Sequence, residues 1–187
     1  MCPVLLTRTH NQNGIEYTFD HLLPFSMDII QAATKDKPAR LWRIDVEFSI
    51  HCFTRGPNTH KGEKLTDSPV EYHYSDSRET RIFCLKRYEL SKMLPGIVAE
   101  IAQRRCFHTG KGNFFTIEAL DPNGVNVEYE IYFNLTRARK KGCLKLFIQS
   151  AFVRDEDHFS TQPKKRPINF FVLAHNRLIN KPVKTPN

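Results

Sequence analysis

The chain has 187 residues, 40% apolar and 11% aromatic, with 26% charged. This excludes a disordered, collagen-like or low-complexity chain, and one domain is the expectation for this length. Lys and Arg number 28 against 20 Asp and Glu, a net charge of +8. Residues 1–136 carry 16 basic and 17 acidic side chains, whereas residues 137–187 carry 12 and 3, so the excess lies in the last 51 positions. A one-sided basic segment is an electrostatic footprint for nucleic acid or for an acidic protein partner.

No apolar run reaches 18 residues, so no transmembrane helix is expected and no membrane partner is assigned. The first ten residues lack the apolar stretch and cleavage site of a signal peptide. The five cysteines, Cys2, Cys52, Cys84, Cys106 and Cys143, are odd in number, widely spaced and without a Cys-x-x-Cys pair. A cytoplasmic protein with free thiols is the expectation.

In chain order, residues 1–19 read as irregular, with a turn at Asn11–Gly14. Residues 20–35 read as a broken helix with Ser26 as its cap. Residues 41–54 alternate, with Trp42, Ile44, Val46, Phe48, Ile50 and Cys52 on one face and Arg43, Asp45, Glu47, Ser49 and His51 on the other. That is a long strand with one buried face. A loop covers 55–69, and short strands are expected at 70–74 and 81–85. Residues 86–105 carry helical spacing, interrupted by Pro95, which starts a new helix or kinks a longer one.

The remainder reads as four antiparallel strands. They are 114–120, a hairpin turn at Asp121–Gly124, 127–135, a basic turn, 143–153, and a last strand at 168–174. Cys143–Val153 is apolar on both faces and therefore central. The tail from Asn180 reads as frayed. The expected fold is α+β: one domain over 1–187, with helices against a curved, mainly antiparallel sheet.

Three histidines are candidate acid–base groups. His51 shares its polar strand face with Glu47 and Ser49, and the following loop brings Arg55, His60 and Lys61. His73 lies near Arg78 and Arg81, and His108 near Lys111. Ribonuclease chemistry through the 2′ oxygen needs a base, an acid and a cation, and no metal. No paired zinc-ligand spacing, phosphate loop or serine-hydrolase elbow occurs, so no metal or cofactor is assigned.

The candidate nucleic-acid-binding residues are Arg137, Arg139, Lys140 and Lys141 in one turn, Lys145 on the next strand, then Arg154, Lys164, Lys165 and Arg166. The two clusters would bracket one sheet face with Lys145 between them. Phe147 and Tyr132 are available to stack bases there, although core packing also suits Phe147.

Residues 112–175 resemble the RelE-type and phage-barnase-type ribonuclease toxins. The resemblance is carried by Gly112-Asn113-Phe114-Phe115-Thr116-Ile117-Glu118, Tyr129-Glu130-Ile131-Tyr132-Phe133-Asn134, Leu144 to Phe152, and Lys165-Arg166-Pro167-Ile168-Asn169-Phe170. It implies helices followed by a curved antiparallel sheet with basic and His residues on one face. No catalytic position transfers from it. Two classes remain open: an RNA-cleaving protein of that type, of phage or mobile-element origin, or a non-catalytic binding protein using the same basic face.

Overall fold

Asn13 and Gly14 both lie in the left-handed region (φ 52° and 77°), the conformation a two-residue hairpin turn requires. They join β1 (Thr9–Gln12) to β2 (Ile15–Thr18) in the computed structural model, which describes residues 9–120, 127–154 and 161–184. Residues 9–18, expected to be irregular, thus form a paired hairpin, and Phe19 behind it is buried.

The helix expected over 20–35 is instead strand β3 (Phe25–Gln31), preceded by a short 3₁₀ turn at Asp20–Leu22. Phe25, Met27, Ile29 and Gln31 alternate as half-buried residues with exposed Ser26, Asp28 and Ile30. That period-two pattern coexists with the helical spacing that Met27, Ile30 and Ala33 suggest. Pairing with the next strand decides between them, as tertiary context does in sheets. The partner is β4 (Arg40–Phe48), antiparallel, with Met27 opposite Ile44 and the Trp42 indole N–H donating to Gln31.

In β4, Trp42, Ile44, Val46 and Phe48 are buried, as the alternation requires. The strand stops at Phe48 rather than running to 54. The Ser49 side chain accepts the His51 backbone N–H and opens a 3₁₀ turn, Ile50–Cys52, that still buries Ile50 and Cys52.

A small three-stranded sheet follows, ordered β5 (Thr54–Arg55), β7 (Thr80–Phe83), β6 (His73–Ser75). The expected helical region divides at Pro95 into α1 (Leu85–Ser91) and α2 (Leu94–Ala99), with Pro95 in the first turn of α2, where its missing N–H costs nothing.

Next come β8 (Cys106–His108), β9 (Phe114–Leu120), β10 (Val127–Arg137) and β11 (Cys143–Val153). β9, β10 and β11 form the expected meander, and β11 is internal. The hairpin turn expected at Asp121–Gly124 lies outside the described residues. The fourth strand of the meander does not exist. Arg166–Ile168 is a short strand, β12, beside β8, and residues 170–178 form helix α3 (Phe170–Leu178).

Asn169 explains the helix: its side chain accepts the backbone N–H groups of Phe171 and Val172, and Phe170, Leu173 and Ala174 follow on one buried stripe. The vacant place beside β11 is taken by β4, in parallel, giving the order β12-β8-β9-β10-β11-β4-β3. The fold is a single α+β domain around this seven-stranded mixed sheet. α3 covers one face, and the Phe171 ring lies over Trp42.

Cys52, Cys84, Cys106 and Cys143 are free, and burial pushes the Cys52 and Cys106 thiols up to about 12. Cys2 lies outside the described residues. No described helix is long and apolar enough to cross a membrane.

Candidate functional site

The register of β10 against β11 shifts between Tyr132, opposite Ser150, and Phe133, opposite Ile148, which leaves Gln149 as an extra residue. This β-bulge reverses the alternation of β11. Leu144, Leu146 and Ile148 face the core before it, and Ala151 faces the core after it. Lys145, Phe147, Gln149, Ser150 and Phe152 consequently share the face turned away from α3. Without the bulge, Ser150 and Phe152 would point into the core. The row from Lys145 to Phe152 spans about 20 Å at the rise of a strand.

His51 stands beside this row on the 3₁₀ turn after β4. Its Nε2–H donates to Glu79 Oε1 at 2.6 Å, and Glu79 Oε2 accepts from Arg81 Nη1 at 3.2 Å. Arg81 Nε–H donates to the Thr54 hydroxyl at 2.9 Å, and Arg87 donates to the backbone carbonyls of Thr54 and His51. The carboxyl of Glu79 is held below its ordinary value, first by the His51 hydrogen bond and also by Arg81, against the opposing effect of burial. Because Nε2 faces Glu79, the nitrogen left for chemistry is Nδ1.

His51 is one-third exposed and lies at the junction of two concavities. The larger, about 610 Å³, is lined by Arg55, His60, Lys61, Glu63, Arg81, Lys86, Arg87 and Phe152 among others. The smaller, about 370 Å³, runs along the sheet past Glu79, Asn113, Tyr132, Phe147, Gln149 and Ser150. Ser150 borders both, yet no hydrogen bond joins it to His51, so this is not a nucleophilic triad.

Five Arg and Lys side chains surround the larger cleft, against the carboxylates of Glu63 inside it and Glu79 at its edge. Arg87 and Arg154 both lie over the Phe152 ring, at 5.0 and 5.5 Å. The arrangement suits an anion held next to a carboxylate-oriented imidazole.

Glu63 accepts two hydrogen bonds from Arg55, at 2.7 and 2.8 Å, and one from the Asn58 backbone at 2.6 Å. The Arg55 contact, with the Asn58 bond, holds its carboxyl at about 2 instead of 4.5. A carboxyl lowered on folding stabilises the protein above the unfolded value and loses that contribution as pH falls from about 4.5 toward 2. Glu63→Gln should therefore cost about 1–2 kcal/mol at pH 7, discounted for the partial exposure of Arg55. The difference from the native protein should close near pH 2, as measured by denaturation at each pH.

The structure separates the three candidate histidines. His51 joins Glu79, not Glu47, which is paired with Lys145 at 2.7 Å. His73 donates through Nε2 to the Leu65 carbonyl. His108 is buried in β8, where its Nδ1 accepts the Gly110 N–H, and burial, then Arg177 and Arg166, lowers its pKa. Neither reaches the cleft.

The basic residues divide as well. Arg154 pairs with the buried Glu130, and Lys165 pairs with Glu128. Arg137 ends β10 and Arg139, Lys140 and Lys141 occupy the turn that follows it, and none of the four has an ion-pair partner among the described residues. Lys164 is exposed and Arg166 half-buried at the far edge of the sheet. Among the described residues no three His, Cys, Asp or Glu side chains come together as a metal site.

Glu79, Arg81, Lys86 and Arg87 are the site residues that sequence reading did not group with His51. Their charges fall in a segment whose acidic and basic residues nearly cancel, and only the pairing of β5 with β7 collects them.

The chain belongs to the YjaZ family, whose profile matches residues 8–178. It is 29% identical over 147 residues to Protein YjaZ of Escherichia coli (strain K12), covering 78% of this chain and 76% of that protein. No solved structure matches the chain. The family match takes in β4, the His51–Glu79 pair, the bulged strand β11 and all of α3.

Proposed function

We propose that the protein binds nucleic acid as a single strand laid along the open face of β11. The strand would run from the turn at Arg137–Lys141, past Phe147 and Tyr132, to the cleft at His51. The supporting observation is continuity: the smaller groove, with a half-buried Phe147 on its floor, opens at His51 into a cleft ringed by five cations. Positive grooves with aromatic floors take single strands by pairing phosphates with cations and stacking bases on rings.

Arg154 and Lys165 act mainly within the fold in this reading, because both are committed to carboxylates. The phosphate contacts come from the turn and from the cations that line the cleft, Lys61 and Lys86 among them.

Each phosphate contact releases counterions, so affinity for a labelled single-stranded oligonucleotide should fall steeply as salt rises from 50 to 200 mM. Replacing Arg139, Lys140 and Lys141 together with Ala should flatten the log–log slope by about 2 units, at roughly 0.7 per contact on a single strand. Stability should change by less than about 0.5 kcal/mol, since exposed turn charges contribute little to folding. Lys61→Ala with Lys86→Ala should flatten the slope again by about 1.4 units. No salt-sensitive binding of RNA or DNA at low salt would overturn the reading and leave the charge to an acidic protein partner.

A further inference from the structure

The His51–Glu79 pair exceeds what binding requires. A surface that only holds phosphates needs cations, and a carboxylate 2.6 Å from an imidazole in a basic cleft works against it. Such a carboxylate instead orients the ring, fixes the proton on Nε2 and leaves Nδ1 as a base. Nδ1 has no hydrogen-bond partner among the described residues. Glu79 is itself held by Arg81, and Arg81 by Thr54, so the ring is positioned from three elements: the 3₁₀ turn, β5 and the β6–β7 hairpin.

We infer that the cleft cleaves RNA, with His51 as the general base and Glu79 as a residue positioning it. The inference rests on the binding reading above and extends it to a substrate class. In the step, Nδ1 of His51 takes the proton of a ribose 2′ hydroxyl. The 2′ oxygen bonds to the adjacent phosphorus, and the bond from phosphorus to the 5′ oxygen of the next nucleotide breaks. The leaving oxygen takes a proton from water, and His51 returns its own to solvent. The products are a 2′,3′-cyclic phosphate and a 5′ hydroxyl end. Negative charge on the phosphorane is met by the cations of the same cleft, among them Arg81 and Arg87. DNA lacks the 2′ hydroxyl and would bind uncut.

The test pairs two oligonucleotides of one sequence, one RNA and one carrying a single ribose among deoxyriboses, with an all-deoxy control. The native protein is expected to cut the mixed oligonucleotide only at the ribose and leave a cyclic phosphate, while the all-deoxy strand is bound and intact. His51→Ala should lose about 10²- to 10⁴-fold in rate, the range for removal of a general base. Added imidazole should restore part of that loss, which a purely structural role would not allow. Glu79→Gln should lower the rate at saturating RNA about tenfold with the half-saturating concentration within about twofold, the split expected of a positioning residue.

If the native protein binds the all-deoxy strand but leaves the ribose linkage intact, cleavage is overturned and binding stands. If neither strand is bound or cut, both readings fall together. Cutting that persists at the native rate in His51→Ala, or in a His51→Gln variant of native spectrum, would also overturn the assignment.

Discussion

Arg154→Ala is expected to cost about 3–5 kcal/mol of folding stability, the range for stranding one partner of a buried ion pair. Glu130 is only 1% exposed, on the same side of the sheet as the groove. It receives Arg154 Nε and Nη2 at 2.9 and 2.8 Å, the Tyr132 hydroxyl at 2.6 Å and the Gln162 amide at 2.9 Å.

Burial by itself would raise the Glu130 carboxyl, and these hydrogen bonds, Arg154 first, bring it below the ordinary value. The pair therefore stabilises the fold above the unfolded carboxylate range, and that contribution is lost as pH falls below it. Without Arg154 the buried carboxylate loses its paired cation and keeps only the hydrogen bonds of Tyr132 and Gln162. Chemical denaturation at pH 7 checks the loss. The contrast with the nearly neutral triple change at Arg139, Lys140 and Lys141 separates basic residues that build the fold from those free to meet a ligand.

Phe19→Ala should cost about 3–5 kcal/mol, as for other fully buried Phe side chains. Its ring stacks on Phe53 at 4.2 Å between centroids and meets Tyr74, Tyr88 and Phe83 edge-on at 5.3, 5.8 and 6.3 Å. Tyr74 and Phe83 lie on β6 and β7, the hairpin that carries Glu79, while Phe53 follows the turn that carries His51. A cavity at Phe19 thus loosens both halves of the His51–Glu79 pair. Denaturation reads the stability loss. Loss of oligonucleotide binding in excess of that from Lys61→Ala with Lys86→Ala would show the cleft disordering with it.

Strong periodicity made much of the sheet readable in advance. The buried face of β4, the limits of β9 and β11, the internal place of β11 and the helix break at Pro95 all follow from local pattern. β3 and α3 differ from the local expectation for one reason: short apolar runs satisfy both periods, and the arbiter lies elsewhere. For β3 it is the neighbouring strand, and for α3 it is the single Asn169 cap. The parallel partnership of β4 with β11 joins segments about 100 residues apart, and nothing local announces it.

His51 was legible as a candidate because it sits on the polar side of a clear strand. Its actual partner was not, because the turn at Ser49 rotates it away from Glu47. The bulge at Gln149 left no sequence mark, yet it puts Ser150 and Phe152 on the open face. The charge count drew attention to residues 137–187 and hid the basic cleft, whose cations come from a segment of near-zero net charge.

Under the proposed function, nucleic acid lies along the open face of β11 and enters the His51 cleft. Photo-crosslinking locates the strand directly: a single-stranded oligonucleotide with a photoreactive base at each position in turn is bound to the full chain at low salt and irradiated, and the modified peptides are identified. Crosslinks should fall on the 143–153 peptide, at Phe147 and its neighbours, and on peptides carrying residues 51–63 and 81–90. Crosslinks confined to the outer surface of α3, or spread without preference over the chain, would contradict it.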